Sequence, residues 1–244
     1  MTISGSSLTS KTYGQIRLAI LNCELKPGSR IKINELCERL GVSLSAVRES
    51  LSRLTSDGLV ISEPQKGFMV APVSLDDLAD LIRTRVSIED LCQRSAIENG
   101  DAEWEGAILA AHHRLGRAPI LGEGDDARPS EEWYKIHGLF HQAIVSACTS
   151  RRLLEVRSLL ALQADRYMRM AIPFSLCFGN DEVALDHDRL VEAVLARRAD
   201  EAGELIKLHL SRTWEPLTTA LKRSELFSGA SLAVRSSTIL AAAE

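Results

Sequence analysis

The sequence predicts a mainly α-helical protein in which a winged helix-turn-helix precedes an all-α helical bundle. Three observations support this fold class. Two short helical patterns are separated by a glycine, two β-rich runs then surround a Lys-Gly turn, and apolar residues at helical spacing continue from there to about residue 224. We therefore expect a first domain at 1–74, a second at 75–224 and a C-terminal tail at 225–244.

The first predicted helix spans residues 13–25. Ile16, Ile20 and Leu21 lie on one face of it, which is the spacing of a helix with one buried side. A second helical pattern, INELCERL, occupies residues 33–40.

The second helix ends at Gly41, because glycine tolerates the left-handed conformation of a helix C-terminus. Ser43 or Ser45 can cap the helix that follows. This third helix has a buried stripe of Val47, Leu51 and Leu54, and its other side carries Ser45, Arg48, Ser52 and Arg53. Two short helices joined by a tight turn can be a plain helical hairpin or a helix-turn-helix whose second helix enters the major groove of DNA.

The next residues favour the helix-turn-helix. The runs 59–64 and 68–72 flank Gln65-Lys66-Gly67, which predicts a β-hairpin. A hairpin directly after a recognition helix is a wing, and Lys66 at its tip can contact a phosphate.

Residues 11–72 resemble the winged helix-turn-helix of the GntR family of bacterial transcription regulators. The matching motifs are Pro27-Gly28, the Leu36 helix, GVS at 41–43, VRE at 47–49, DGL at 57–59 and Gly67. Three positions depart from the family pattern: Leu44 and Ala46 stand where arginine and proline are usual, and Asn34 where a basic residue is common. The resemblance implies DNA binding through Arg30, Lys32, Asn34, Ser43, Leu44, Ser45, Arg48, Lys66 and Gly67.

The second domain is predicted to contain six helices and no strand, near 75–99, 102–115, 131–147, 150–171, 182–197 and 200–223. Ser74 can cap the first of these helices. The segments 116–130 and 172–181 are predicted loops, the second because it contains Pro173. Six helices without strands form an all-α bundle.

Four of the six histidines have spacings that suggest a metal site. His137 and His141 are one helical turn apart and point the same way. His187 and His209 are 22 residues apart, but Asp200 midway is a candidate N-cap. If the chain reverses there, both lie at the same level of two antiparallel helices, and four imidazoles can converge on one ion. The alternative is four unrelated histidines.

Residues 76–222 resemble the all-helical, effector-binding domain of the FadR-type branch of the GntR family. RVSIE at 85–89, FH at 140–141, His187 with Ala193, and KLH at 207–209 match in order and spacing. The resemblance implies metal ligands at His137, His141, His187 and His209, although the family set is one aspartate and three histidines and His137 replaces the aspartate. Imidazole ligands favour Zn or Ni among divalent transition metals.

Three polar residues interrupt apolar helix stripes. Arg85 lies on the stripe of the first helix of the second domain, and Gln163 and Arg166 interrupt the long helix after Ser150. A buried guanidinium needs an anion, which can be an internal carboxylate or the carboxylate of an effector bound bidentately. We predict that Arg85, Gln163 and Arg166 line an effector cavity.

Charge and cysteine content agree with a cytoplasmic DNA-binding regulator. Residues 1–75 contain nine Lys and Arg against six Asp and Glu, a balance of +3, whereas the remaining 20 and 27 give −7. A basic head on an acidic body is typical of a DNA-binding module joined to a domain with another task. The five scattered cysteines form no CxxC pair, and neither a signal peptide nor an apolar run of membrane-spanning length is evident.

These features together predict a homodimeric transcription regulator that binds a double-stranded palindromic operator and is a repressor released by a small organic acid. A likeness of HGLFH and of residues 101–113 to a glutarate-responsive subgroup implies a C4–C6 dicarboxylate such as glutarate. A metalloenzyme with a DNA-binding appendage is the alternative, but four histidines on a tetrahedral ion leave no open catalytic position. A purely architectural DNA-binding protein leaves the buried polar residues unexplained.

Overall fold

The computed structural model describes residues 8–119, 129–175 and 180–223. Within these ranges the chain forms nine α-helices and a three-stranded sheet, in the order α1 (Leu8–Leu21), β1 (Arg30–Ile31), α2 (Ile33–Leu40), α3 (Leu44–Ser56), β2 (Val60–Glu63), β3 (Gly67–Val70), α4 (Leu75–Asn99), α5 (Ala102–Gly116), α6 (Glu131–Val145), α7 (Arg151–Ser175), α8 (Asn180–Leu195) and α9 (Ala199–Arg223). The predicted tail and most of the predicted loop at 116–130 lie outside the described residues.

The helix-turn-helix forms as predicted. Gly41 ends α2 in the left-handed conformation, and the Ser43 hydroxyl accepts a hydrogen bond from the Ala46 amide at the start of α3. Val47 and Leu51 of α3 are fully buried in the first-domain core, together with Ile16 of α1. The recognition helix is therefore fixed by its inner face, and its outer face is left to solvent.

The wing is an antiparallel hairpin of β2 and β3, with Val60 opposite Val70 and Glu63 opposite Gly67. A third strand, β1, pairs with the other edge of β3 and was not predicted. Because β1 is only two residues long, it has too few positions to display a recognisable alternation of apolar and polar side chains. The sheet order is β1-β3-β2, so the hairpin is joined to the segment that precedes α2.

The second domain contains the six predicted helices around a core from α4, α5, α6, α8 and α9. Ser74 caps α4, as predicted, by accepting a hydrogen bond from the Asp77 amide. One predicted loop boundary was wrong, because α7 continues through Pro173 to Ser175. Proline lacks an amide hydrogen and disfavours helix, but it lies in the last turn here, where the helix ends two residues later.

The long helix α7 also contacts the first domain. Leu162 packs against the first-domain core, and Arg169 donates a hydrogen bond to the Asn22 side chain. Arg169 also forms an ion pair with Glu131 at the start of α6. α7 is thus shared between the helical bundle and the helix-turn-helix.

Candidate metal centre and DNA-binding surface

Three helices bring four histidines together in the core of the second domain. His137 and His141 lie one turn apart on α6, His187 lies on α8 and His209 on α9. The chain reverses between α8 and α9, as the sequence predicted. One potential ligand atom of each histidine lies within 4.8 Å of those of the other three. The convergence of four imidazoles is therefore an observed feature, and metal binding stays a prediction.

The rings are arranged closely enough to share one ion. The Nε2 atoms of His137 and His141 are 3.1 Å apart, near the separation of two nitrogens bound to one zinc at roughly 2.0–2.1 Å. The His187 and His209 ring centroids are 4.6 Å apart. Trp133 stacks on His137, with a centroid distance of 4.7 Å and an interplanar angle of 10°. This stacking fixes the orientation of the His137 ring.

The four imidazoles are held in the neutral form that binds a metal. Each side chain is buried, with 4–8% of its residue surface exposed. Burial lowers the pKa of His137, His141 and His209 well below its usual value, and neighbouring histidines and the charge of Arg85 lower it further. Burial also lowers the pKa of His187, to about 4. At neutral pH the cluster offers unprotonated nitrogens.

One of these nitrogens is without a hydrogen-bond partner among the described residues. The Nε2 atom of His187 is inaccessible to solvent and unsatisfied. An unsatisfied buried polar atom costs about 1–3 kcal/mol relative to one with a partner. A metal ion held among the four rings would satisfy it, so the donor set fits an imidazole-bound ion.

A buried ionic network adjoins the histidines. Glu89 on α4 accepts a 2.7 Å hydrogen bond from Arg157 Nε and a longer one, 3.4 Å, from Arg85 Nε. Arg157 also donates to the backbone carbonyl of His141 and to the side chain of Gln142. Two guanidinium groups thus share the Glu89 carboxylate, and Asp165 on α7 is a second carboxylate whose charge acts on Arg85.

The ionic network gives Arg85 only a long hydrogen bond to a carboxylate. An internal carboxylate was one of the two partners expected for Arg85, and Glu89 is that carboxylate. The contact is long, however, and Arg157 binds Glu89 more closely. Burial lowers the pKa of Arg85, and the charges of Glu89 and Asp165 oppose this effect. The charge of Arg85 also lowers the pKa values of His137, His141 and His209, so it acts on the histidine cluster.

Two predicted effector residues, Gln163 and Arg166, donate hydrogen bonds to the first domain and the linker, and their binding of an effector stays a prediction. Gln163 donates to the backbone carbonyl of Asp57, the residue that caps the C-terminus of α3. Arg166 is buried and donates to the carbonyls of Ala71 and Pro72, which follow the wing. Both side chains interrupt the apolar stripe of α7 because they bind the first domain and the linker.

Gly58 permits the Gln163 contact. Its φ of +75° is a left-handed conformation, and a Cβ at this position would collide with the Gln163 amide. Tyr167 completes the contact region through a 2.6 Å hydrogen bond to Asp77 of α4. Glu89, Arg157 and Asp77 were not predicted as partners. The signal available in the sequence was the four-residue spacing that puts Arg85 and Glu89 on one helix face.

All nine predicted DNA-binding residues are exposed, as a surface for a macromolecular partner requires. Arg48 lies on the outer face of α3, one turn from its start. Arg30 donates a 2.6 Å hydrogen bond to the Lys66 carbonyl and pairs with Glu63, so it also stabilises the wing. The exposed set is Arg30, Lys32, Asn34, Ser43, Leu44, Ser45, Arg48, Lys66 and Gly67.

None of the helices within the described ranges has the length and hydropathy needed to cross a membrane.

Comparison with known proteins finds two family profiles, which match separate parts of the chain. The profile described as bacterial regulatory proteins, gntR family, matches residues 8–70, and the profile described as FCD domain matches residues 80–212. The HTH-type transcriptional regulator BphR of Paraburkholderia xenovorans (strain LB400) is 36% identical over 204 residues, covering 84% of this chain and 82% of BphR. The HTH-type transcriptional repressor GlaR of Escherichia coli (strain K12) is 32% identical over 203 residues, covering 81% and 90%.

Solved structures agree with this assignment at the level of the fold. McbR/YncC of E. coli has a TM-score of 0.69 and 23% identity and covers 89% of this chain and all of its own. A putative GntR regulator from Rhodococcus sp. RHA1 has a TM-score of 0.65 and 22% identity and covers 90% of this chain and all of its own.

Proposed function

The chain belongs to the GntR family of bacterial regulatory proteins, with an FCD domain as its second domain, and from this premise we propose that it is a homodimeric, cytoplasmic repressor released from its operator by a small organic acid bound at a metal centre. DNA-binding transcription regulation follows from the family itself. The relatives and the fold are those of regulators, which excludes the alternative of a metalloenzyme. Repression is supported by one relative that is named a repressor.

The observation that carries the metal proposal is the unsatisfied, buried Nε2 of His187 among three other neutral imidazoles. His137, His141, His187 and His209 would hold the ion. Four neutral nitrogen ligands favour Zn or Ni over Mg or Ca, which prefer oxygen. When bound, such an ion supplies a Lewis-acidic positive centre for a carboxylate oxygen.

Arg85 supports the proposal of an anionic effector. It shares Glu89 with Arg157, so one positive charge near the histidines lacks a matching carboxylate from that network. An effector carboxylate would pair with the terminal amino groups of Arg85 in a charge-assisted, bidentate geometry. A C4–C6 dicarboxylate such as glutarate is the effector class that we propose, on the resemblance of HGLFH described above.

The DNA partner that we propose is a palindromic operator. A homodimer presents two copies of α3, one to each half-site, and the symmetry of the operator mirrors that of the protein. Arg48 is placed on the outer face of α3 to contact base edges, and Lys66 at the wing tip to contact phosphate. The proposed regulation is a shift between two arrangements of the heads, caused by the difference in effector affinity between them.

Metal analysis of purified protein tests the centre directly. The parent should contain one zinc or nickel ion per chain, and His141→Ala and His187→Ala should each lose most of it. His113→Ala is the matched control, since His113 is exposed on α5 and makes none of the cluster contacts. Equal metal content in the parent and all three variants would exclude the site.

Operator binding tests the proposed DNA surface. Arg48→Ala should weaken binding to a selected operator by about 1–3 kcal/mol per half-site, as expected for loss of one bidentate base contact. The helix should stay folded, because Arg48 is exposed and the buried stripe of α3 is unchanged. Unchanged retardation of the operator by Arg48→Ala in gel-shift assays at several salt concentrations would refute this docking of α3.

A thermal-shift screen of mono- and dicarboxylates then identifies the effector class.

A further inference from the structure

The recognition helix begins with an apolar residue that is exposed and lies outside the first-domain core. Leu44 is the first residue of α3, and 48% of its surface is exposed. The other large apolar residues exposed in the described part of the first domain, Leu18 and Ile61, are less accessible, at 38% and 37%. An isolated exposed leucine is ordinary on a protein surface. Its position, however, is where a recognition helix meets base pairs.

The local structure of the helix start does not need Leu44. Ser43 already caps the helix through the Ala46 amide. The residue before the cap, Val42, and the fourth residue of the helix, Val47, occupy the two positions of a hydrophobic staple. Val47 is fully buried, and Val42 packs against the first-domain core. The apolar side chain of Leu44 is therefore available to a partner.

The neighbours of Leu44 define what that partner is. Leu44 and Arg48 are four residues apart, so they lie on one exposed ridge of α3. The hydroxyls of Ser43 and Ser45 are 3.0 Å apart and hydrogen-bond to each other. The exposed ridge of α3 therefore presents the apolar side chain of Leu44 and the guanidinium of Arg48. In the major groove the apolar group on a base edge is the C5-methyl of thymine, and the usual arginine partner is guanine.

We propose that Leu44 is a specificity-determining residue that contacts the C5-methyl group of a thymine in each operator half-site. The inference rests on the proposed operator binding. Four residues of helix advance by about 6 Å, and successive base pairs are about 3.4 Å apart. The thymine therefore lies within about two base pairs of the position that Arg48 contacts.

The test removes the C5-methyl group from a thymine of the DNA and, separately, the leucine side chain from position 44 of the protein. A duplex is first selected from a random pool by the full-length parent, and each thymine is then replaced singly by deoxyuridine. Uracil pairs as thymine does and lacks only the C5-methyl. At one symmetry-related position the replacement should weaken parent binding by roughly three- to fourfold per half-site, the equivalent of one buried methyl group.

Leu44→Ala should bind the thymine duplex more weakly than the parent and bind the thymine and uracil duplexes at that position equally. Leu18→Ala is the matched control, an exposed leucine on α1 outside the recognition helix, and should keep the parent's discrimination. Both variants should melt within about 1–2 °C of the parent, as exposed sites do.

The inference is overturned if no uracil position weakens parent binding, or if the uracil penalty is undiminished in Leu44→Ala. Loss of thymine discrimination in Leu18→Ala as well would also overturn it, because the effect would not belong to Leu44. Failure to enrich any duplex would instead refute the proposed DNA binding, and with it this contact. The two failures are thereby distinguished.

Discussion

Replacing Glu89 by glutamine should destabilise the second domain strongly, because Glu89 is the shared anion of two arginines. Glu89 is 2% exposed and Arg157 4%, and their Nε–Oε2 distance is 2.7 Å. Glutamine has almost the same shape but no charge. Glu89→Gln therefore removes the carboxylate that pairs with both Arg157 and Arg85, while the packing volume is preserved.

The magnitude follows from the burial of the pair. Removing one partner of a buried ion pair costs about 3–5 kcal/mol. At roughly 2–4 °C per kcal/mol for a chain of this size, the melting temperature should fall by about 6–20 °C. The change is measured by circular dichroism with a chelator present, so that metal content does not contribute.

Glu155→Gln provides the matched control. Glu155 pairs with Arg151 and Arg152 on the surface of α7, and the side chains of these arginines are 89% and 90% exposed. Exposed ion pairs at this helical spacing contribute about 0.3–0.5 kcal/mol each, so loss of both should change the melting temperature by less than about 4 °C. Equal shifts in the two variants would refute the assignment of Glu89 as the charge that balances the core.

Three further outcomes are expected. Arg85→Met should bind operator like the parent but should fail to respond to the effector that releases the parent, a loss of roughly 5- to 150-fold in effector-dependent affinity change, measured by titration with and without effector. Lys66→Ala should weaken binding to all duplexes and reduce the salt slope by about one, measured over a salt series. Iodoacetamide at pH 8 should label Cys23 and Cys37 in the native protein before Cys92, because burial raises the pKa of Cys92 to about 12; mass spectrometry of peptides reports the order.

The features that the sequence predicted correctly depend on short-range patterns. The turn at Gly41 and the cap at Ser43 are properties of a few adjacent residues. His137 and His141 share a helix face by spacing alone. The convergence of His187 with them required one chain reversal, which the sequence correctly predicted near Asp200. The predicted N-cap was wrong, because α9 begins at Ala199 and Asp200 lies in its first turn.

The contacts that the sequence does not predict occur where a helix face has two possible neighbours. Gln163 and Arg166 interrupt the apolar stripe of α7, and periodicity indicates only that they face inward. It does not indicate that this half of α7 faces the first domain, where backbone carbonyls of Asp57 and Ala71 accept their hydrogen bonds. The Glu89–Arg157 pair joins residues 68 positions apart, so no local pattern identifies it.

The attachment of α7 to the first domain limits the kind of movement that an effector can produce. Gln163, Arg166 and Arg169 donate four hydrogen bonds to the first domain and linker. At about 0.5–1.5 kcal/mol each, these bonds are worth roughly 2–6 kcal/mol. An effector supplies about 1–3 kcal/mol of coupling. Coupling of that size is within or below the sum of these four bonds, and α7 is also held to the bundle through the Arg157–Glu89 ion pair. An effector that leaves both sets of contacts intact therefore moves the first domain together with α7 and the helix it is bound to, α4.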